Sequence, residues 1–254
     1  MKSVNKFYRR LFFKMRIVNA DCLEWLATSN EHWDTIFADP PDNIGLKYAK
    51  YKDNLDVDEY HNLLDRWLQC FLDHADTVWF SYNAKWGFNV GWIIREMRKT
   101  REFEAKPCVQ TFTFGQHSQY DLGNGHRPLL RLRKWDAPRF PDEIRVPSWR
   151  QLNGDSRADP RGRVPLDVFD FPRVTGNHKQ RRSWHPTQLS EDLVERCLKL
   201  TTPSYGRVLD PFAGTGTTAR VCAKTDFECT LIEIDPYYCA KIADEHGFSV
   251  IVPE

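Results

Sequence analysis

Short apolar runs alternate along the chain with longer amphipathic stretches, and the two periods predict strands and helices in turn. Met15-Arg16-Ile17-Val18-Asn19 reads as a strand, and Asp21 to Ala27 as a helical turn. Thr35-Ile36-Phe37-Ala38 is a compact apolar strand that stops at the rigid polar turn Asp39-Pro40-Pro41. Asp56 to Asp76 has helical character, with Asp56 as N-cap and Glu59 where a capping box needs it. Capping accounts for this acidic cluster better than metal ligation does. Thr77-Val78-Trp79-Phe80 follows as a buried strand, then a helix over Trp86 to Lys99 and strands at Glu104 to Phe114 and His126 to Arg133.

Ala137 to Pro172 is interrupted by proline throughout and reads as an irregular insertion outside the sheet. Regular structure returns with a helix at Ser190 to Leu200, a strand at Arg207 to Leu209 and a helix from Thr217. A strand at Cys229 to Glu233 and a helix after Pro236 complete the chain. Strands alternating with helices at this spacing predict an α/β fold, a mostly parallel seven-stranded Rossmann-like sheet with helices on both faces. The expected organisation is a basic extension at 1–14, then one domain over 15–254 with an insertion at about 134–172.

At 254 residues, 41% hydrophobic and 28% charged, the composition is that of a globular protein with a sizeable core. No apolar run approaches the ~18–20 residues that cross a bilayer, so no membrane partner is expected. The seven cysteines are scattered and never spaced as Cys-x-x-Cys, which argues against a disulfide framework or a zinc site. They point instead to a reducing, cytoplasmic compartment, where association with the nucleoid or a phage-infected host is compatible. Net charge is +1, but Arg127 to Arg182 carries fourteen Lys or Arg against seven Asp or Glu. Twelve of the fourteen are arginines, the side chain suited to bidentate contacts with phosphate and guanine, so DNA is the expected partner. Arg131, Arg133, Arg150, Arg181 and Arg182 are the candidate contacts, and Trp149 and Trp184 could stack on bases. Homodimerisation is left open.

The strongest local signal is Val208-Leu209-Asp210-Pro211-Phe212-Ala213-Gly214-Thr215-Gly216-Thr217-Thr218. A strand ends in Asp210, turns through Gly214 and Gly216, and opens a helix whose N-terminus adds partial positive charge. Twenty-three residues beyond Asp210, the next strand ends in Glu233, a carboxylate placed to hold ribose hydroxyls. The Gly-Lys-Ser/Thr ending of a phosphate-binding loop is absent. Asp210 at a strand tip suits a cationic group. At the other turn, Pro40 and Pro41 fix φ and hold the carbonyls of Asp39 and Pro40 in set directions. Rigid acceptors beside a carboxylate are what an amino group with two hydrogens requires as partners.

These motifs together resemble the Asp-Pro-Pro-Tyr-type amino-methyltransferases of DNA, which modify adenine N6 or cytosine N4. The chain is similar in particular to their group β, because Asp39-Pro40-Pro41 precedes the Asp210–Gly216 motif. His185-Pro186-Thr187-Gln188 resembles the segment that contacts the methionine end of the cofactor, and Asn19-Ala20-Asp21-Cys22 the adenine-contacting turn. The resemblance implies S-adenosylmethionine as cofactor, S-adenosylhomocysteine as product and no metal. It further implies cofactor contacts at Asp21, Cys22, His185, Thr187, Gln188, Asp210, Phe212, Gly214, Gly216, Thr217 and Glu233. Catalysis falls to Asp39, Pro40, Pro41 and Asp42, with adenine N6 expected because Asp rather than Ser precedes the prolines. Cytosine N4, an RNA or unusual base, and a silent DNA-binding protein are the alternatives.

Two positions depart from that pattern. Asp42 stands where the family has an aromatic that stacks on a flipped base, a contact worth ~1–3 kcal/mol. Another aromatic (Tyr48, Tyr51 or Tyr82) supplies the stack, or Asp42 meets a different part of the base, or activity is reduced. A second carboxylate beside Asp39 would also raise the pKa of one of the two. Leu189-Ser190 stands where relatives continue with Lys-Pro, and Ser190 is suited to cap the next helix. No nuclease or helicase motif is present.

Overall fold

The computed structural model describes residues 15–48, 50–112 and 118–253. Its strands are β1 (Met15–Asn19), β2 (Trp33–Ala38), β3 (Ala75–Ser81), β4 (Glu104–Thr111), β5 (His126–Arg133), β6 (Val168–Asp170), β7 (Arg207–Asp210), β8 (Glu228–Glu233) and β9 (Val250–Ile251). The longer helices are α1 (Cys22–Thr28), α2 (Val57–His74), α3 (Gly87–Met97), α4 (Glu191–Thr201), α5 (Thr217–Thr225) and α6 (Pro236–His246). All nine strands join one sheet in the order β6-β4-β5-β3-β2-β7-β8-β1-β9. Only β5 opposes its neighbours, pairing antiparallel with both β3 and β4.

Alternation along each strand decides which face a side chain serves. Ile36, Ala38, Val78, Phe80 and Leu209 pack with α1, α2 and α3 on one face. Phe37, Trp79, Val208, Cys229 and Leu231 pack with α4, α5 and α6 on the other. Because both faces are covered, the central strands read as continuous apolar runs. The expected capping box is present: the Asp56 side chain accepts from backbone N–H groups and Glu59 reaches back to the Asp56 N–H. Below it, Tyr60, Leu64, Trp67, Leu68, Phe71 and Leu72 form a single buried stripe along α2.

The seven predicted strands are all found, and two more lie at the edges of the sheet. Within the insertion read as irregular, β6 pairs parallel with β4, and β9 pairs with β1. Each is too short to show a period, and in β6 only Phe169 is buried. The basic extension at 1–14 lies outside the described residues, as do residues 113–117 beyond β4.

Strand order creates the site. From β2 the chain passes to β3 on one side, and from β7 it passes to β8 on the other, while β2 and β7 themselves pair in parallel. The crevice at such a switch point, beyond the carboxyl ends of the strands, is where doubly wound sheets bind ligands. Asp39 and Asp210 stand at those two ends.

Asp56→Ala is expected to lower stability by about 1 kcal/mol through loss of the cap. A shifted urea midpoint with unchanged slope would register it, and an unchanged midpoint would show the cap to be idle.

Candidate active site

The Asp39 turn and the Asp210 turn open into one cavity of about 640 Å³, a size typical of small-ligand sites. Asp21, Asp39, Asp42, Asp210, Glu233 and Asp235 line it and outnumber Lys50, Arg127, Arg173 and Arg181, so acid prevails around the Asp210 turn.

On the Asp210 side the glycines do two different jobs. Gly214 (φ 50°) leaves room where a Cβ would stand 3.3 Å from His185 Nε2. Gly216 (φ 74°) is the left-handed N-cap of α5, and a Cβ there would meet Ile242 Cγ1 at 3.1 Å. The Gly214 N–H donates to Glu233 Oε2 (2.9 Å), and the Asp235 N–H to Glu233 Oε1 (2.9 Å), which fixes the carboxylate. Asp210 accepts from the Phe212 N–H (2.9 Å) and the Thr218 hydroxyl (2.5 Å). Burial outweighs these bonds and pushes the Asp210 carboxyl up to about 7. Burial also raises Glu233, against the backbone donors that favour its charge.

Asp21 caps α1, with Oδ1 accepting from the N–H groups of Leu23 (2.8 Å) and Glu24 (3.1 Å), beside buried Cys22. His185 Nδ1 lies 2.6 Å from the Thr187 carbonyl, an arrangement that puts the proton on Nδ1 and leaves Nε2 bare toward Gly214. Burial lowers its pKa, with the bond to Thr187 opposing, and so favours the neutral imidazole. Gln188 is spent internally: it donates to the Gln180 carbonyl (2.6 Å) and accepts from the Arg182 N–H (2.8 Å). Thr187, Phe212 and Thr217 line the cavity, Phe212 resting edge-on against Trp67. Ser190 stands at the N-cap of α4 without a side-chain cap bond.

The Asp39 side is organised by residues that sequence reasoning did not single out. Tyr60 Oη donates to the Pro41 carbonyl (2.5 Å), Trp86 Nε1 to the Asp42 carbonyl (2.8 Å), and Lys85 to the Asn43 carbonyl. Buried Asp53 accepts the N–H groups of Asn43 (2.7 Å), Ile44 (3.2 Å) and Leu46 (2.8 Å). Arg127, on β5, reaches both acids of the turn. Its Nη2 donates to Asp39 Oδ1 (2.7 Å) and Asp42 Oδ1 (2.9 Å), its Nη1 to Asp42 Oδ2 (2.7 Å), and its Nε to Ser81 Oγ (2.6 Å). Burial works against this charge, but Asp39 and Asp42 outweigh it and raise the Arg127 pKa. Asp39 is itself raised, by burial first and by Asp42, with Arg127 opposing. An unpaired carboxylate after the prolines was the one available hint that a cation must come from elsewhere.

Tyr48 and Tyr51 line the cavity, whereas Tyr82 packs on Phe80 and does not. Trp184 is engaged with Tyr238 (5.6 Å), and Trp149 is exposed. Two of the candidate DNA contacts, Arg131 and Arg133, need correction. Arg131 and Arg133 are buried and paired with Glu104, because alternate residues of β5 turn into the protein beneath the insertion. Arg181 donates to the carbonyls of Arg182, His185 and Pro186, bracing the His185 segment. Arg182 pairs with Glu245 (2.7 Å). Arg150, with 60% of its side chain exposed, is the one of the five that is mostly open to solvent. Among the described residues no group of His, Cys, Asp and Glu could hold a metal, and no helix is long and apolar enough to cross a membrane.

Residues 33–245 match the N6/N4 DNA methylase family. The chain belongs to that family. It is 27% identical over 247 residues to the type II methyltransferase M.ScaI of Streptomyces caespitosus, covering 87% of this chain and 78% of the relative. It is 28% identical over 246 residues to the DNA adenine methyltransferase YhdJ of Escherichia coli K12, covering 87% and 79%. In fold it is similar to M1.HpyAVI in complex with SAM, with a TM-score of 0.59 at 17% identity over 91% of this chain and all of that one. S-adenosylmethionine is the family's methyl donor, and the acid-lined cavity with its glycine-cleared wall fits a cationic nucleoside of this kind.

Asp210 binds its proton more tightly in the folded state (about 7) than an exposed carboxyl does (~3.9), so stability falls as pH rises through that window. Asp210→Asn removes this fall. The variant should melt above the wild type at pH 8 and near it at pH 4, and a lower melting point at pH 8 would refute the assignment.

Proposed function

We propose that this DNA methylase transfers the methyl group of S-adenosylmethionine to N6 of adenine. The observation that carries the reading is the shared cavity of the Asp39 and Asp210 turns. When bound, the cofactor supplies an electrophilic methyl group on a sulfonium. Asp210 would pair with the ammonium of its methionine end beside His185 and Thr187, and Glu233 would accept from ribose hydroxyls. Asp21, Cys22 and Phe212 would hold the adenine.

An exocyclic amine is a weak nucleophile because its lone pair is delocalised into the ring. Asp39 and the Pro40 carbonyl each accept one N–H, favouring the pyramidal amine that can attack. As the N–C bond forms, the methyl–sulfur bond breaks and the sulfonium charge is lost. The alkylated amine then sheds a proton, for which Asp39 is the adjacent acceptor. Asp before the two prolines supports adenine over cytosine, as does likeness to a relative named a DNA adenine methyltransferase. Arg150 and the exposed Arg157 and Arg161 of the insertion supply cations for phosphates.

Incubation with labelled cofactor and undermethylated DNA, followed by digestion to nucleosides, should place label in N6-methyladenine. Label in N4-methylcytosine would overturn the choice of base, label only in RNA the choice of polymer, and DNA binding without label the activity. Asp39→Ala should lower kcat by about 10²–10⁴ while cofactor affinity changes little. Gly214→Ala should do the reverse, losing affinity for S-adenosylhomocysteine by calorimetry because the new Cβ closes on His185. Retained turnover in the first variant, or retained affinity in the second, would remove that residue from its role.

A further inference from the structure

We propose that Arg127 and Asp42 act as a matched pair that sets how much of the Asp39 carboxylate is left for the substrate amine. Arg127 is the positioning residue, and Asp42 is the acceptor that keeps it from closing on Asp39. The inference rests on the reading of Asp39 given above.

All three guanidinium nitrogens of Arg127 are engaged. Asp42 receives the two-pronged contact (2.7 and 2.9 Å), whereas Asp39 receives one guanidinium bond (2.7 Å) and the Ser81 hydroxyl. An ionised carboxylate offers about four acceptor positions, so Asp39 keeps capacity for an N–H of the base. The backbone that carries Asp42 is held on both sides, Trp86 donating to its carbonyl and Asp53 accepting the next N–H. The cluster of one cation and two carboxylates stays net negative toward the amine. An arginine this enclosed (18% of its side chain exposed) facing Asp39 alone would form the bidentate pair with it and use up the acceptor. The aromatic usual at position 42 would leave Arg127 in that situation. The Asp at this position is therefore the counterpart of an arginine brought by β5.

Asp39 is faced by Arg127 from β5, Ser81 from β3, Asp42 from its own turn, Asp210 from β7, and Tyr48. Of these, Arg127 and Asp42 push its charge in opposite directions. The test compares Arg127→Gln, Asp42→Asn and the double variant, each first shown to melt cooperatively and to bind S-adenosylhomocysteine with wild-type affinity. Both single variants should lose at least tenfold in kcat. The acidic limb of the rate profile should move up in Arg127→Gln and down in Asp42→Asn, each by about one pH unit. The double variant should be no worse than Arg127→Gln alone, because without the captor the loss of Asp42 no longer costs Asp39 its acceptor. Unmoved limbs, or a double variant worse than either single one, would overturn the proposal and leave the pair a purely structural bridge. The Asp39 carboxyl resonance, followed by ¹³C NMR and identified by its loss in Asp39→Asn, should shift with the same signs. That readout does not need turnover: a wild type that methylates nothing would sink the activity while the carboxyl shifts still decide the pairing.

Discussion

The parallel pairing of β2 with β7, Thr35 beside Val208 and Ile36 beside Leu209, is the contact on which the site depends. Two strands running the same way release the chain at the same edge, so the turns after Ala38 and at Asp210 share one space. The two elements lie about 170 residues apart in sequence, and no local propensity brings them together. Buried threonines reinforce the join: Thr35 and Thr201 share a hydrogen bond (3.0 Å), and Trp79 donates to the same Thr201 hydroxyl (3.1 Å). These bonds tie α4 to β2 and β3 beneath the cavity.

That adjacency has an electrostatic consequence. Carboxylates gathered at one edge of a sheet repel one another in a medium that screens poorly, and Asp39 and Asp210 contribute to each other's difficulty. The two sides meet it differently. Asp210 and Glu233 receive backbone N–H groups and a hydroxyl, fixed dipoles that leave the carboxyls raised and ready for a cation. Asp39 and Asp42 instead receive a full positive charge from Arg127. On the proposed function this division is apt: uncompensated acid lies where a cationic donor would sit, and the resident cation lies where a neutral amine would be gripped.

The same division explains what the sequence discloses. The Asp210 turn is legible because its parts are contiguous: a strand, two glycines with positive φ and the start of a helix all fall within a dozen residues. The central strands are legible because burial on both faces makes them uniformly apolar. Arg127 is not, since its partners lie 85 and 88 residues away and are reached only because β5 pairs with β3, which in turn pairs with β2. Arg131 and Arg133 mislead for a related reason. Charge in an arginine-rich stretch suggests solvent, but an antiparallel register sets Arg133 opposite Glu104, and burial with that partner costs less than burial alone. Strands β6 and β9 escape because so few residues carry no period.

The acceptor side shows how far a rigid turn depends on distant support. Pro40 and Pro41 have no N–H, so the turn cannot hydrogen-bond to itself in the ordinary way, and its order must come from outside. Tyr60 in α2 takes the Pro41 carbonyl, Trp86 ahead of α3 takes the Asp42 carbonyl, and Asp53 gathers three N–H groups of the following loop. Tyr60 and Trp86 also pack against each other with tilted rings (4.5 Å between centres), so both anchors belong to one packed cluster. The orientation of Asp39 is thus written into the core that α2 and α3 form against the sheet. Acceptors aimed in this way need no reorganisation when an amine arrives, which is where a polar site gains most over water.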